Sequence, residues 1–280
     1  MMRIESFSGW SRLFPTGALV PGLAGFAFTA ATGVMPMIGD NPMHTTMIAM
    51  CVFGAAVLSG STGLGFPLLA VPIFLLDYAP PQAILMACIC SLIGQCFAVA
   101  VLRQTVCYEI RWQLVLSGML GVPIGTLLLL MADISALRFG LAILLISSSM
   151  WLLIGGYVHV RRAAGLSELL VGVSGGICGG LFGVSSAVPA TWLSACGLDK
   201  MRQRAIIQPY IIAAQCISLT LLCLHDTLTV AIVRAIAVYI VPLVAGVAIG
   251  AAGFRIISSG LYSRAVLGIT LLSGLMLLFR

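Results

Sequence analysis

Charge is scarce in this sequence. Fourteen basic and eight acidic residues among 280 amount to 8%, and only three histidines accompany them. A soluble domain carries about 25% charged residues because its surface must be solvated. A chain this poor in charge cannot cover a water-exposed surface of its size, so lipid is its main solvent. Cysteine pairing is missing as well. None of the nine cysteines forms a CxxC pair, and no haem, zinc or iron–sulfur spacing occurs. Thiols inside apolar runs behave as small hydrophobes, and no cofactor or metal is expected. Acids within the apolar runs are also lacking. Asp77, Glu109, Asp133, Glu168, Asp199 and Asp226 fall near segment ends, so no carboxylate is expected mid-membrane, where a proton relay would put one.

What is abundant is apolar sequence: 61% hydrophobic, with mean hydropathy +1.16. A membrane-spanning helix needs about 20 apolar residues. Runs of that kind occur at roughly 17–38, 46–76, 83–102, 112–131, 136–158, 168–196, 205–224, 230–253 and 262–279. The loops between them are short and hold most of the basic residues. The net charge of +6 therefore reads as a topology signal and not as a nucleic-acid footprint. The first run, within an N-terminal segment 1–45, could pass for a weak signal peptide but is read as a retained transmembrane helix.

Two runs are too long for one span and are broken by small residues. The first carries Gly60-Ser61-Thr62-Gly63-Leu64-Gly65-Phe66-Pro67 followed by Pro72. The second carries Gly175-Gly176-Ile177-Cys178-Gly179-Gly180-Leu181-Phe182-Gly183 followed by Pro189. Glycine weakens helix preference and proline removes a donor, so neither run is expected to form one continuous helix. Broken backbone at membrane depth is tolerated only when buried in protein or lining a wet cavity.

The chain also repeats itself. Gly63 stands as far from Pro72 as Gly180 from Pro189. Ile84, Gly94, Gln95 and Cys96 have a loose echo in Ile206, Ala214, Gln215 and Cys216. Gly121 and Gly125 parallel Gly246 and Gly250. Arg138, Leu141 and Ser147 line up with Arg264, Leu267 and Ser273. Each half is a broken segment followed by three helices, over 46–160 and 161–280. If both broken segments enter and leave on one side, Arg3, Arg12, Arg103, Arg111, Arg161, Arg162, Lys200, Arg202, Arg204, Arg255 and Arg264 all face the cytoplasm, and only Arg138, Arg234 and Arg280 lie outside. Nine full crossings with parallel repeats would put Arg103, Arg111, Arg161 and Arg162 outside. The expectation is therefore an all-α, polytopic transmembrane bundle of two inverted repeats, an arrangement recurrent among transporters.

The Gly-rich openings Gly60 to Pro72 and Gly176 to Pro189, with Tyr108-Glu109-Ile110-Arg111-Trp112 followed by Gly118, Gly121 and Gly125, resemble the TauE/SafE family of sulfite and organosulfonate transporters. The resemblance covers about residues 46–280. It implies movement of small anions, sulfite or short organosulfonates, through the inner (plasma) membrane, with no enzymatic chemistry. The partners it implies are the bilayer and a small anionic solute, with a homo-oligomer allowed and no nucleic acid.

An oxyanion inside a membrane needs hydrogen-bond donors. Half-helix N-termini supply free N–H groups and about half a positive charge each. The candidate site is thus the two breaks facing each other: Ser61, Thr62, Gly63 and Gly65 in one, Gly179, Gly180, Gly183, Ser185 and Ser186 in the other. Gln95 and Gln215, each on the helix after a break, join them, with Ser91 and Gln208 as weaker candidates. The alternative for the glycines is close helix packing. Gly172-Val173-Ser174-Gly175 matches the GxSG pattern of intramembrane serine proteases, but that serine needs a histidine base, and His44, His159 and His225 all fall at loop ends. A passive channel or a non-transporting assembly partner would use the same apolar segments.

Overall fold

In the computed structural model of the chain, residues 42–63, 66–102, 109–153, 165–198, 200–225, 227–253 and 271 are described. The expected spans 17–38 and 262–279 lie outside them, residue 271 apart. Among the described residues there are nine helices and no strand: α1 (Pro42–Thr62), α2 (Phe66–Phe74), α3 (Pro80–Leu102), α4 (Trp112–Met131), α5 (Ile134–Leu153), α6 (Leu166–Phe182), α7 (Ala187–Ala195), α8 (Lys200–Leu224) and α9 (Val230–Gly253). Five of them, α1, α3, α4, α8 and α9, are long and apolar enough to cross a membrane. Leu116, Leu120, Ile124 and Leu127 of α4 and Ile240 and Val241 of α9 are exposed. Water would penalise such apolar faces and lipid does not.

Both over-long runs are broken. The first splits into α1 and α2, the second into α6 and α7. At each break sits a glycine in the left-handed region, Gly63 at φ +72° and Gly183 at φ +73°, a conformation that disfavours any Cβ. The left-handed glycine of the second break is Gly183 and not Gly180, so spacing to the prolines does not align the two breaks. Pro72 falls late in α2, whereas Pro189 falls in the first turn of α7.

After each break the chain folds back. A Cβ on Gly175 would lie 2.7 Å from the Pro189 ring, and one on Gly179 2.7 Å from the Ser185 Cβ, so α7 returns along α6. In the first segment, His44 at the start of α1 lies 3.7 Å from Asp77, just beyond α2. Arg138 at the start of α5 joins that end of the bundle by donating to the Leu75 carbonyl at 3.3 Å. A different group of charges marks the starts of α4, α6 and α8. Arg111 lies 3.7 Å from Glu168 and 3.5 Å from Glu109, and Glu109 lies 3.5 Å from Arg202. Glu168 is buried in the first turn of α6, where the helix dipole favours a carboxylate.

Glycines set the helix pairing. Cβ atoms on Gly121, Gly125 and Gly180 would run into the carbonyls of Val173, Ile177 and Val122, so α4 and α6 lie backbone to backbone and run parallel. Gly246, Gly250 and Gly60 stand in the same way against the carbonyls of Phe53, Val57 and Val247, joining α9 to α1. Small residues permit this approach, and in lipid the dispersion contact it brings is a principal source of helix association. Within each long pair, one helix comes from the first half of the chain and one from the second.

Candidate functional site

α3 and α8 cross near their middles, and there the interior turns polar. Ser91 and Gln95 project one turn apart from α3. Gln208, Gln215 and Ser218 follow the helical repeat along α8, with Arg204 one turn before Gln208. All six are buried, none more than 2% exposed. Gln208 donates its amide to Gln95 Oε1 at 2.8 Å, and Gln215 donates to Ser91 Oγ at 2.7 Å. Such pairing relieves the penalty of holding amides away from water.

The first break docks on this cluster. Gln95 donates from Nε2 to the carbonyl of Gly63 at 2.9 Å. Arg204 donates from Nη2 to the Gly60 carbonyl at 3.0 Å and from Nη1 to the Ser61 carbonyl at 3.3 Å. These carbonyls belong to the last turn of α1, whose C=O groups lack helical partners. A guanidinium matches both their hydrogen-bonding need and the negative end of the helix dipole. The hydroxyls of Ser61 and Thr62 turn back onto their own helix, Ser61 to Val57 at 2.8 Å and Thr62 to Leu58 at 2.8 Å. Gly65 lies outside the described residues.

The second break differs in its surroundings. Gly183 is overlaid by Ile84 and Cys88 of α3 and by Val71 of α2. Gly179 packs on Ser185, while Gly180 lies on the α4 backbone at Val122 and Thr126. Ser186 precedes α7 without a side-chain cap. Ser185 Oγ and Gln215 Oε1 are buried with no hydrogen-bond partner among the described residues. Gly63 sits at the level of Gln95 and Gly183 at the level of Cys88, seven residues apart on α3, or about 10 Å at 1.5 Å per residue. The amide cluster begins at the level of Gly63, with Gln95.

Arg204 is the residue that charge placement misjudges. Grouped with Lys200 and Arg202 it reads as cytoplasmic loop, but α8 starts at Lys200 and turns Arg204 inward. The legible signal is the helical spacing of Arg204, Gln208, Gln215 and Ser218 on an otherwise apolar segment. Ser174 donates its hydroxyl to the Leu170 carbonyl of its own helix at 2.8 Å. Among the described residues no group of three or more His, Cys, Asp and Glu side chains could hold a metal.

The apolar spans, the broken helices and the buried amides define a multi-pass helical membrane protein. A family model described as Sulfite exporter TauE/SafE matches residues 48–277, and the chain belongs to that family. It is a membrane transporter of a small solute and not an enzyme. Neither a search of curated proteins nor one of solved structures returned a match.

Proposed function

We propose that this transporter moves small oxyanions, sulfite or short organosulfonates, across the plasma membrane through a site between its two helix breaks. The observation that carries the reading is the cluster of Ser91, Gln95, Gln208 and Gln215, buried at the middle of two crossing spans. Neutral amides and hydroxyls supply directed donors to an anion without the larger penalty of burying a lysine or arginine head unpaired. The N-terminus of α7 adds N–H groups and a favourable dipole. Gln215, Ser185 and Ser186 are the residues assigned to the solute, and Gln95 holds the first break beside them through the Gly63 carbonyl. Gly63, Gly65, Gly179, Gly180 and Gly183, with Ser61 and Thr62, shape the breaks.

The two halves, 46–160 and 161–280, are read as inverted copies. Three observations support this. Gly63 and Gly183 share a positive φ, +72° and +73°. The α1–α9 and α4–α6 contacts correspond residue for residue. The charges at the ends of the first broken segment group with Arg138, whereas those at the ends of the second group with Arg111. The positive-inside rule then assigns the Arg111 and Arg202 end to the cytoplasm.

The test is uptake of radiolabelled sulfite and of a short alkyl sulfonate into liposomes holding the purified protein. Saturable flux that competes between the two anions is expected. Absence of flux for both would rule the reading out, and linear, ohmic conductance would make the protein a channel.

A further inference from the structure

We propose that the two breaks have different tasks: the first is a fixed latch, and the polar groups that take the solute belong to the second, at Ser185 and Gln215. This rests on the reading that an oxyanion binds between the breaks.

The assignment comes from comparing corresponding positions. Arg204 lies against Gly63, its Cγ and Nε 3.0 Å from where a Cβ would be. In the other half the same place, over Gly183, is taken by Ile84, 3.3 Å from the corresponding point. One break is thus closed by a cation and the other by a hydrocarbon. Around the first break, the carbonyls and hydroxyls are engaged internally. The carbonyls of Gly60, Ser61 and Gly63 accept from Arg204 and Gln95, and the hydroxyls of Ser61 and Thr62 are bound to α1. A solute reaching this break would have to displace those bonds.

The second break retains capacity. Ser185 Oγ is 2% exposed and unpartnered among the described residues, immediately before the first turn of α7. A hydroxyl there can donate, in line with the N–H groups of Ala187 and Val188, which have no partner within their own helix. Gln95 reaches the Gly63 carbonyl from α3, and Gln215 is its counterpart on α8, so the correspondence directs Gln215 to the Gly183 break. One end of the Gln215 amide is engaged by Ser91 and the other is vacant. A half-turn of the amide keeps the Ser91 bond, then donated by the hydroxyl, and presents N–H groups to the vacant side. Ser185 and Gln215 offer an oxyanion two neutral donors, whereas the serine and threonine hydroxyls of the first break are already bound to α1.

The experiment is sulfite uptake in liposomes by wild type, Ser185→Ala, Gln215→Leu and Ser61→Ala, with KM and the maximal rate measured separately. Each variant is first checked for monodispersity in detergent. Removing a hydrogen bond to a charged solute raises KM about tenfold or more. That rise is expected for Ser185→Ala and Gln215→Leu, with KM for Ser61→Ala within about twofold of wild type. An unmoved KM in Ser185→Ala, or an equal rise in Ser61→Ala, overturns the assignment while wild-type uptake leaves the preceding section intact. A wild type that carries neither sulfite nor an alkyl sulfonate overturns both. Should Gln215→Leu prove unstable, Gln215→Glu replaces it. A carboxylate there would repel the anion and raise KM, and an unchanged KM would again overturn the assignment.

Discussion

Tyr210 donates its hydroxyl to the carbonyl of Gly172 at 2.9 Å while its ring fills the space a side chain on Gly118 would need. The contact ties α8 to α4 and α6 at once, and it leaves no room at Gly118. Gly118→Ala should force the ring aside and destabilise the protein by about 1–3 kcal/mol. Gly54, also helical, has nothing within 4 Å of its Cβ position, so Gly54→Ala should be neutral or stabilising by up to about 1 kcal/mol. Thermal scanning of the two variants in detergent, against wild type, makes the comparison.

The Gln95–Gln208 pair predicts a non-additive response. Either single change to leucine takes one hydrogen-bond partner from the amide that stays in the interior, at about 1–3 kcal/mol. Changing both removes the two amides together, although the Gly63 carbonyl still loses its donor. The double variant should therefore be less destabilised than the sum of the singles. Its transport should not recover, because the amides are absent. A double-mutant cycle on melting temperature and uptake reads both quantities, and strict additivity of the melting data would contradict the pairing.

Arg204 holds two carbonyls with one planar group. Arg204→Lys keeps the charge but not the fork, and Arg204→Met keeps the bulk with neither. Stability should fall in that order, with the methionine variant losing about 1–3 kcal/mol for each carbonyl left buried without a donor. Equal stability of all three proteins would show that the latch contributes nothing to the fold.

Topology can be read directly. In a cysteine-free background, single cysteines at Tyr78 and at Arg202 should be labelled by an impermeant reagent from opposite sides of the membrane. Labelling from the same side would contradict inverted halves.

The limits of α4 and α9, Trp112–Met131 and Val230–Gly253, coincide with apolar runs visible in the sequence, because charges or turn residues flank both. α8 was harder to delimit. Its apolar run begins at Ala205, but the helix starts at Lys200, since Arg202 can reach Glu109 and Arg204 finds carbonyls in the interior. Both breaks were legible from glycine density. Which glycine turns left-handed was not. That depends on where α6 stops against its neighbours, and Gly179 and Gly180 remain helical while Gly183 does not. The stagger of the two breaks was equally hidden, because it is set by how α3 crosses α8 and no local pattern encodes a crossing.

The exchange of partners between halves, α1 with α9 and α4 with α6, has a consequence for assembly. Neither half can satisfy its glycine-lined faces by itself, so each is a template for the other. A chain severed between residues 153 and 165, its pieces made separately in one cell, should find its complement and rebuild a working carrier, whereas either fragment made alone should be degraded.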